Sequence, residues 1–121
     1  MSAITTHVLD VVLGKPAAGI RVRLDKLEAH WSGDGTDRVA DFDWVAIFTS
    51  MTDADGRCRD LRLDAAEGIY RLSYDTSAYL AGKGRISIYP EISITFNCDG
   101  TEHYHLPVLL SDNGYTTYRG S

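Results

Sequence analysis

The stretch HYHLPVLLSDNGYTTYRGS, residues 103–121, decides the fold class of this chain. Leu106, Val108 and Leu110 alternate with His105, Pro107 and Leu109, the period-two pattern of a strand with one buried face. Asn113-Gly114 follows, the strongest short hairpin signal, because both residues tolerate the positive φ of a type I′ turn. That loop pairs Asp112 with Tyr115, Leu110 with Thr117 and Pro107 with Gly120, laying the last residues beside His105. Slipping the turn back by one residue moves the partners by two and keeps parity. His105, Pro107 and Leu109 therefore share a face with Tyr118 and Gly120 either way. The imidazole of His105 points away from the core, toward the surface where the final residues gather.

The same alternation recurs upstream in Ile20, Val22 and Leu24, in Tyr70, Leu72 and Tyr74, and in Ile86, Ile88, Ile92, Ile94 and Phe96. Between these sets lie Gly14-Lys15-Pro16, Gly33-Asp34-Gly35, Asp55-Gly56, Gly82-Lys83-Gly84 and Asp99-Gly100, turn chemistry at the spacing of all-β chains. The pattern predicts an all-β sandwich, a single domain over 1–121. One short helix is expected over 75–81, capped by Asp75 or Thr76 and ended by Gly82. The Gly- and Asp-rich segment 28–42 reads as a long exposed loop, followed by a strand over 43–49.

Charge narrows the partners. The 17 acidic and 12 basic residues are spread along the chain, net −5, with no Lys/Arg cluster to follow a phosphate backbone. Nucleic acid is excluded on that ground. Cys58 and Cys98 form neither a disulfide framework nor a paired C-x-x-C metal site, which suits a reducing compartment. MSAITTHVLD lacks a basic segment followed by an apolar one, and no apolar run reaches the ~20 residues of a membrane span. A soluble, cytoplasmic protein is expected.

Candidate chemistry rests on few residues. His103 and His105 form an H-x-H pair on one strand face, half of a zinc site without an obvious third ligand. His7, after Thr5-Thr6 in the first strand, suits a structural histidine as well as a ligand or base. Arg57 follows the Asp55-Gly56 turn, where a solvated surface arginine is the ordinary outcome. There is no G-x-S-x-G elbow, H-E-x-x-H motif or Gly-rich phosphate loop. Two imidazoles and an arginine suit base-assisted attack of water on a carbonyl, the cation stabilising the oxyanion.

ITTHVLDVVLGKPAAGI at 4–20, TDADGRC at 52–58, GIYRLSYDTSAYLA at 68–81, YPEISITF at 89–96 and HYHLPVLLSDNGYTTYRGS at 103–121 together resemble the 5-hydroxyisourate hydrolases, the transthyretin-related proteins of purine breakdown. The resemblance runs through nearly the whole chain, and the closing Y-R-G-S separates these hydrolases from the hormone carrier transthyretin. It implies a transthyretin-type β-sandwich of two four-stranded antiparallel sheets with one short helix. It further implies a homotetramer, a dimer of dimers with active sites along the dimer–dimer interface. The implied reaction is hydrolytic ring opening of 5-hydroxyisourate to 2-oxo-4-hydroxy-4-carboxy-5-ureidoimidazoline, without metal or organic cofactor. Carried over by motif, His7, Arg57 and His105 would be catalytic. Tyr118, Arg119, Gly120 and Ser121 would form the floor and wall of the substrate pocket, with Tyr118 narrowing the channel and Gly120 leaving room for the ring. The segment 28–50 is longer than the family's usual connection, Asp53-Ala54-Asp55-Gly56-Arg57 varies its Asn-x-Asp-Gly-Arg pattern, and Ser111-Asp112 replaces its common Ser-Pro turn. The competing readings are a non-catalytic small-ligand carrier and a metal-binding scaffold.

Overall fold

Alternation along the first strand, β1 (Ser2–Asp10), sets the sandwich: Ser2, Ile4, Thr6, Val8 and Asp10 are buried, while Ala3, Thr5, His7 and Leu9 lie half-buried on the opposite face. The computed structural model describes every residue except Asp34, so the expected Gly33-Asp34-Gly35 turn lies partly outside the described residues. After β1 come β2 (Lys15–Pro16), β3 (Arg21–Ser32), β4 (Val39–Met51), β5 (Arg57–Ala65), β6 (Gly68–Tyr74), α1 (Thr76–Ala81), β7 (Ile92–Cys98), β8 (Tyr104–Ser111) and β9 (Gly114–Thr117).

Two sheets pack face to face, as the alternation requires. One has the order β4-β3-β6-β7 and is antiparallel throughout; the other runs β2-β1-β8-β9, with β5 also paired to β1. This second sheet has five strands and is mixed, because β1 and β8 run parallel. Ile4, Val8, Leu106, Val108 and Leu110 meet Val22, Leu24, Tyr70, Leu72 and Tyr74 in one core. Each such side chain contributes roughly 1.5–3 kcal/mol by leaving water. The buried hydroxyl of Thr6 donates to the Leu106 carbonyl (2.6 Å) and accepts from Tyr74 Oη (2.7 Å), so neither polar group is orphaned.

Asp10, fully buried at the end of β1, ties three elements together. It accepts from the Val12 and Leu13 backbone N–H groups, Tyr79 Oη of α1 (2.8 Å) and the Arg85 guanidinium, whose Nε reaches Asp112 at 2.7 Å. Asp75 caps α1 as expected, and Gly82 ends it with φ −62°, the left-handed residue being Gly84.

Three expectations are corrected. The segment 28–42 is not a loop. β3 and β4 pair from Arg21↔Met51 to Ser32↔Val39 with one register shift between Leu24 and Asp25, and beyond β6 they project as a two-stranded ribbon. Its apolar residues escaped the alternation test because they bury no face against the other sheet: Trp31 and Phe42 are each 62% exposed. Ile86 and Ile88 belong to no strand and are 85% and 75% exposed, β7 starting only at Ile92. The last hairpin turns on Asp112-Asn113, with Ser111 opposite Gly114; among the described residues no non-glycine has positive φ, so the turn is not type I′. This is the one-residue slip that preserves parity: Gly120 pairs with His105 instead of Pro107, and Leu110 with Tyr115 instead of Thr117.

Candidate active site

Strand order brings the chemistry to the outer face of the mixed sheet. β1 is flanked on one side by β5, which sets Arg57 opposite His7, and on the other by β8, which sets His105 opposite Thr5. The Asp53–Gly56 turn aims Arg57. Asp53 Oδ1 accepts from the Asp55 and Arg57 N–H groups (2.9 and 3.0 Å), and the Gly56 N–H closes on the Asp53 carbonyl at 2.9 Å. Gly56 needs its positive φ of 76°, and a Cβ there would collide with the Val8 carbonyl oxygen.

A cavity of about 370 Å³ opens on this face, lined by Thr5, Thr6, Arg57, Arg59, His103, His105 and Ser121. Thr5 Oγ1 stands 2.8 Å from His105 Nδ1 and 2.9 Å from His103 Nε2, so one hydroxyl joins both rings. Arg59, two residues beyond Arg57 on the same face of β5, is paired with Asp53 (3.0 Å) and Asp55 (4.0 Å) at the rim. The Gly120 N–H donates to the His105 carbonyl at 2.7 Å, which presses the chain's end onto the histidine.

Both candidate imidazoles are pushed toward the neutral form. Burial lowers the His105 pKa, and the charges of Arg57, His103 and His7 lower it further. Burial and Arg57 likewise lower that of His7, against a hydrogen bond to the Asp55 backbone and the charges of Asp53 and Asp55. A neutral imidazole beside a fixed cation can take a proton from water while the cation faces a developing oxyanion. Among the described residues no group of three or more His, Cys, Asp or Glu side chains is arranged to hold a metal ion, and the H-x-H rings instead meet at Thr5.

Of the residues expected from sequence, Arg57, His105 and Ser121 line the cavity, His7 adjoins Arg57, and Gly120 packs on His105. Two stand apart in this chain. Tyr118 is 53% exposed and outside the cavity lining. Arg119 turns away: its guanidinium stacks on the Tyr104 ring (4.3 Å) and bonds Glu102 Oε2 (3.1 Å) and the His103 carbonyl (3.3 Å). Strand parity explains it, since a residue between Tyr118 and Gly120 faces the other way. Thr5 and Arg59 went unread in the sequence, although the R-x-R spacing of 57 and 59 places both arginines on one strand face.

Residues 4–120 match the profile described as the HIUase/Transthyretin family. The 5-hydroxyisourate hydrolase of Mus musculus is 40% identical over 123 residues, covering 99% of this chain and 96% of that protein. The structure of the Klebsiella pneumoniae 5-hydroxyisourate hydrolase superposes with a TM-score of 0.75 at 34% identity, covering 100% of this chain and 94% of that one. Transthyretin from Sparus aurata superposes with a TM-score of 0.82 at 28% identity, covering 98% and 96%.

Proposed function

The chain belongs to the HIUase/Transthyretin family, and from that premise we propose that this hydrolase of urate degradation opens the ring of 5-hydroxyisourate at the cavity built on β1, β5 and β8. The carrying observation is the convergence of Arg57 with two imidazoles, His7 and His105, both shifted toward the neutral form. One imidazole removes a proton from water as it attacks the ring carbonyl, while the other orients water or substrate. Arg57 polarises the carbonyl and stabilises the oxyanion. Gly120 and Ser121 bound the ring's space.

The shallow site suits a homotetramer in which an opposed subunit roofs the cavity, bringing the exposed Tyr118 across the channel from the ring. The unbridged, buried Cys58 and Cys98 suit the reducing cytoplasmic setting expected from the sequence. The test is the decay of freshly generated 5-hydroxyisourate, followed with and without protein. His105→Asn and Arg57→Ala should each reduce the enzymatic rate on the order of a hundredfold or more. Unchanged rates in both would overturn the site. The carrier reading draws on the backbone likeness to transthyretin, and predicts ligand binding with no acceleration.

A further inference from the structure

Thr5 carries one hydroxyl hydrogen and stands within bonding distance of two imidazole nitrogens, His105 Nδ1 at 2.8 Å and His103 Nε2 at 2.9 Å. It can donate to only one of them and must accept from the other. Two arrangements satisfy both bonds. In the first, His105 Nδ1–H donates to Thr5 Oγ1, Thr5 O–H donates to His103 Nε2, and His105 Nε2 keeps a free lone pair. In the second, both protons have moved one bond along the bridge, and His105 Nε2 bears the hydrogen.

We propose that His103, Thr5 and His105 form a proton relay in which His105 Nε2 is the base that activates water and His103 holds the proton while the tetrahedral intermediate exists. The proposal rests on the hydrolase reading of this cavity and names the base that reading leaves open. Attack forms the carbon–oxygen bond as one water proton passes to His105 Nε2. The Nδ1 proton moves to Thr5 Oγ1 as the Thr5 hydroxyl proton moves to His103 Nε2, so the positive charge ends on His103. When the ring C–N bond breaks, the shifts reverse and the proton goes to the departing nitrogen. The proton released overall comes from ionisation of the new carboxylic acid.

Electrostatics gives the relay its purpose. His105 is half-buried and faces His7 of β1 and Arg57 of β5, so an imidazolium held there would be repelled and poorly hydrated. His103 is exposed, beside Glu102 and the Arg119 pair, where water can solvate the charge. The register Thr5↔His105 fixes the bridge on adjacent strands, and the ring centroids of His103 and His105 stand 6.3 Å apart, a gap spanned by the single hydroxyl.

Two measurements on the intact chain test it. ¹⁵N NMR of the unliganded protein at neutral pH should find His105 Nδ1 protonated and Nε2 bare; a bare Nδ1 with protonated Nε2 overturns the assignment of His105 as base. Kinetics of 5-hydroxyisourate decay should show Thr5→Val and His103→Gln lowering kcat at the pH-independent plateau, on the order of tenfold to a hundredfold with KM nearly unchanged. Thr5→Ser should recover most of what Thr5→Val loses. If His103→Gln merely displaces the acid limb of the pH profile and leaves the plateau intact, His103 is an electrostatic neighbour and the relay is wrong. Should the unsubstituted protein not accelerate the decay at all, the functional reading falls, and the NMR tautomer alone decides the bridge.

Discussion

Gly120→Ala separates a glycine required for room from one required for backbone freedom. Gly120 does not have positive φ, so alanine meets no backbone strain there. Space is the obstacle: a Cβ would stand 2.8 Å from His105 Cδ2, 3.2 Å from Pro107 Cγ and 3.4 Å from the His105 carbonyl oxygen. Non-bonded carbons settle at about 3.5–4.0 Å, so the imidazole and the chain's end must part by roughly 0.7 Å or more. The ring is held by its bond to Thr5 and the Gly120 N–H by the His105 carbonyl, so the displacement falls on the atoms that bound the cavity. A misplacement of about 1 Å costs on the order of a hundredfold in catalysis. The fold loses at most one terminal hydrogen bond, about 0.5–1.5 kcal/mol. The expected outcome in the 5-hydroxyisourate assay is a fall in kcat/KM of about tenfold to a hundredfold, with Tm lowered by no more than about 6 °C. Gly19→Ala is the matched control, since Gly19 has φ 82° and open space around it: stability should fall while activity per folded molecule holds. Full activity in Gly120→Ala, or a loss that only tracks unfolding, refutes the packing argument.

Asp10→Asn should cost about 3–5 kcal/mol in urea unfolding, because it leaves the Arg85 charge short of its buried partner. Burial alone would raise the Asp10 pKa, but the bonds from Arg85, Tyr79 and the Leu13 N–H outweigh it and hold the carboxyl below its ordinary value. A depressed folded-state pKa means the stabilisation is complete above the unfolded value near 3.9 and disappears as pH falls through the folded one, so acid unfolding should begin below about pH 4. For the enzyme, the lowered pKa values of His7 and His105 predict an acid limb of kcat/KM centred below the ordinary imidazole value of about 6.5, with activity retained above it; a limb centred above 6.5 contradicts neutral imidazoles at rest. Native protein should resist iodoacetamide at Cys58, which is buried and whose thiol pKa is pushed up to about 11; mass spectrometry showing prompt labelling without unfolding would contradict that burial.

Period-two alternation made β3, β6 and β8 legible because each buries one face on the other sheet. It failed where that cause is missing. Along the β3–β4 ribbon Trp31 and Phe42 meet solvent, so cross-strand pairing and not burial against the other sheet sets the structure, and the Gly- and Asp-rich composition of its tip masked the strands. In Ile86 and Ile88 the same pattern appears without a strand, since alternation is a consequence of burial and not proof of it. Parity carried more than the turn type did. Moving the turn to Asp112-Asn113 changed every partner, carrying Gly120 from Pro107 to His105, yet kept it on the face of the His105 imidazole, and the same parity accounts for Arg119 stacking on Tyr104 and away from the cavity. Thr5 could not be read from sequence, because its role appears only when the parallel pairing of β1 with β8 sets it between two imidazoles separated from it by about a hundred residues.

That parallel pairing also bears on why one fold serves a carrier and a hydrolase. Likeness of backbone is neutral between them, since the superposition on transthyretin is as good as that on a hydrolase. A carrier needs a lining of suitable shape, whereas hydrolysis needs a neutral base, a cation at the oxyanion and a way to hold a proton out of the cation's field. On the proposed mechanism these would come from different strands in register on the outer face of the mixed sheet: His7 and Thr5 from β1, Arg57 from β5, His105 from β8. None of the four side chains enters the core cluster. The sandwich would fold around apolar or small residues at these positions as readily, so under the proposed mechanism their presence together on one outer face is what would distinguish a catalyst from a binder.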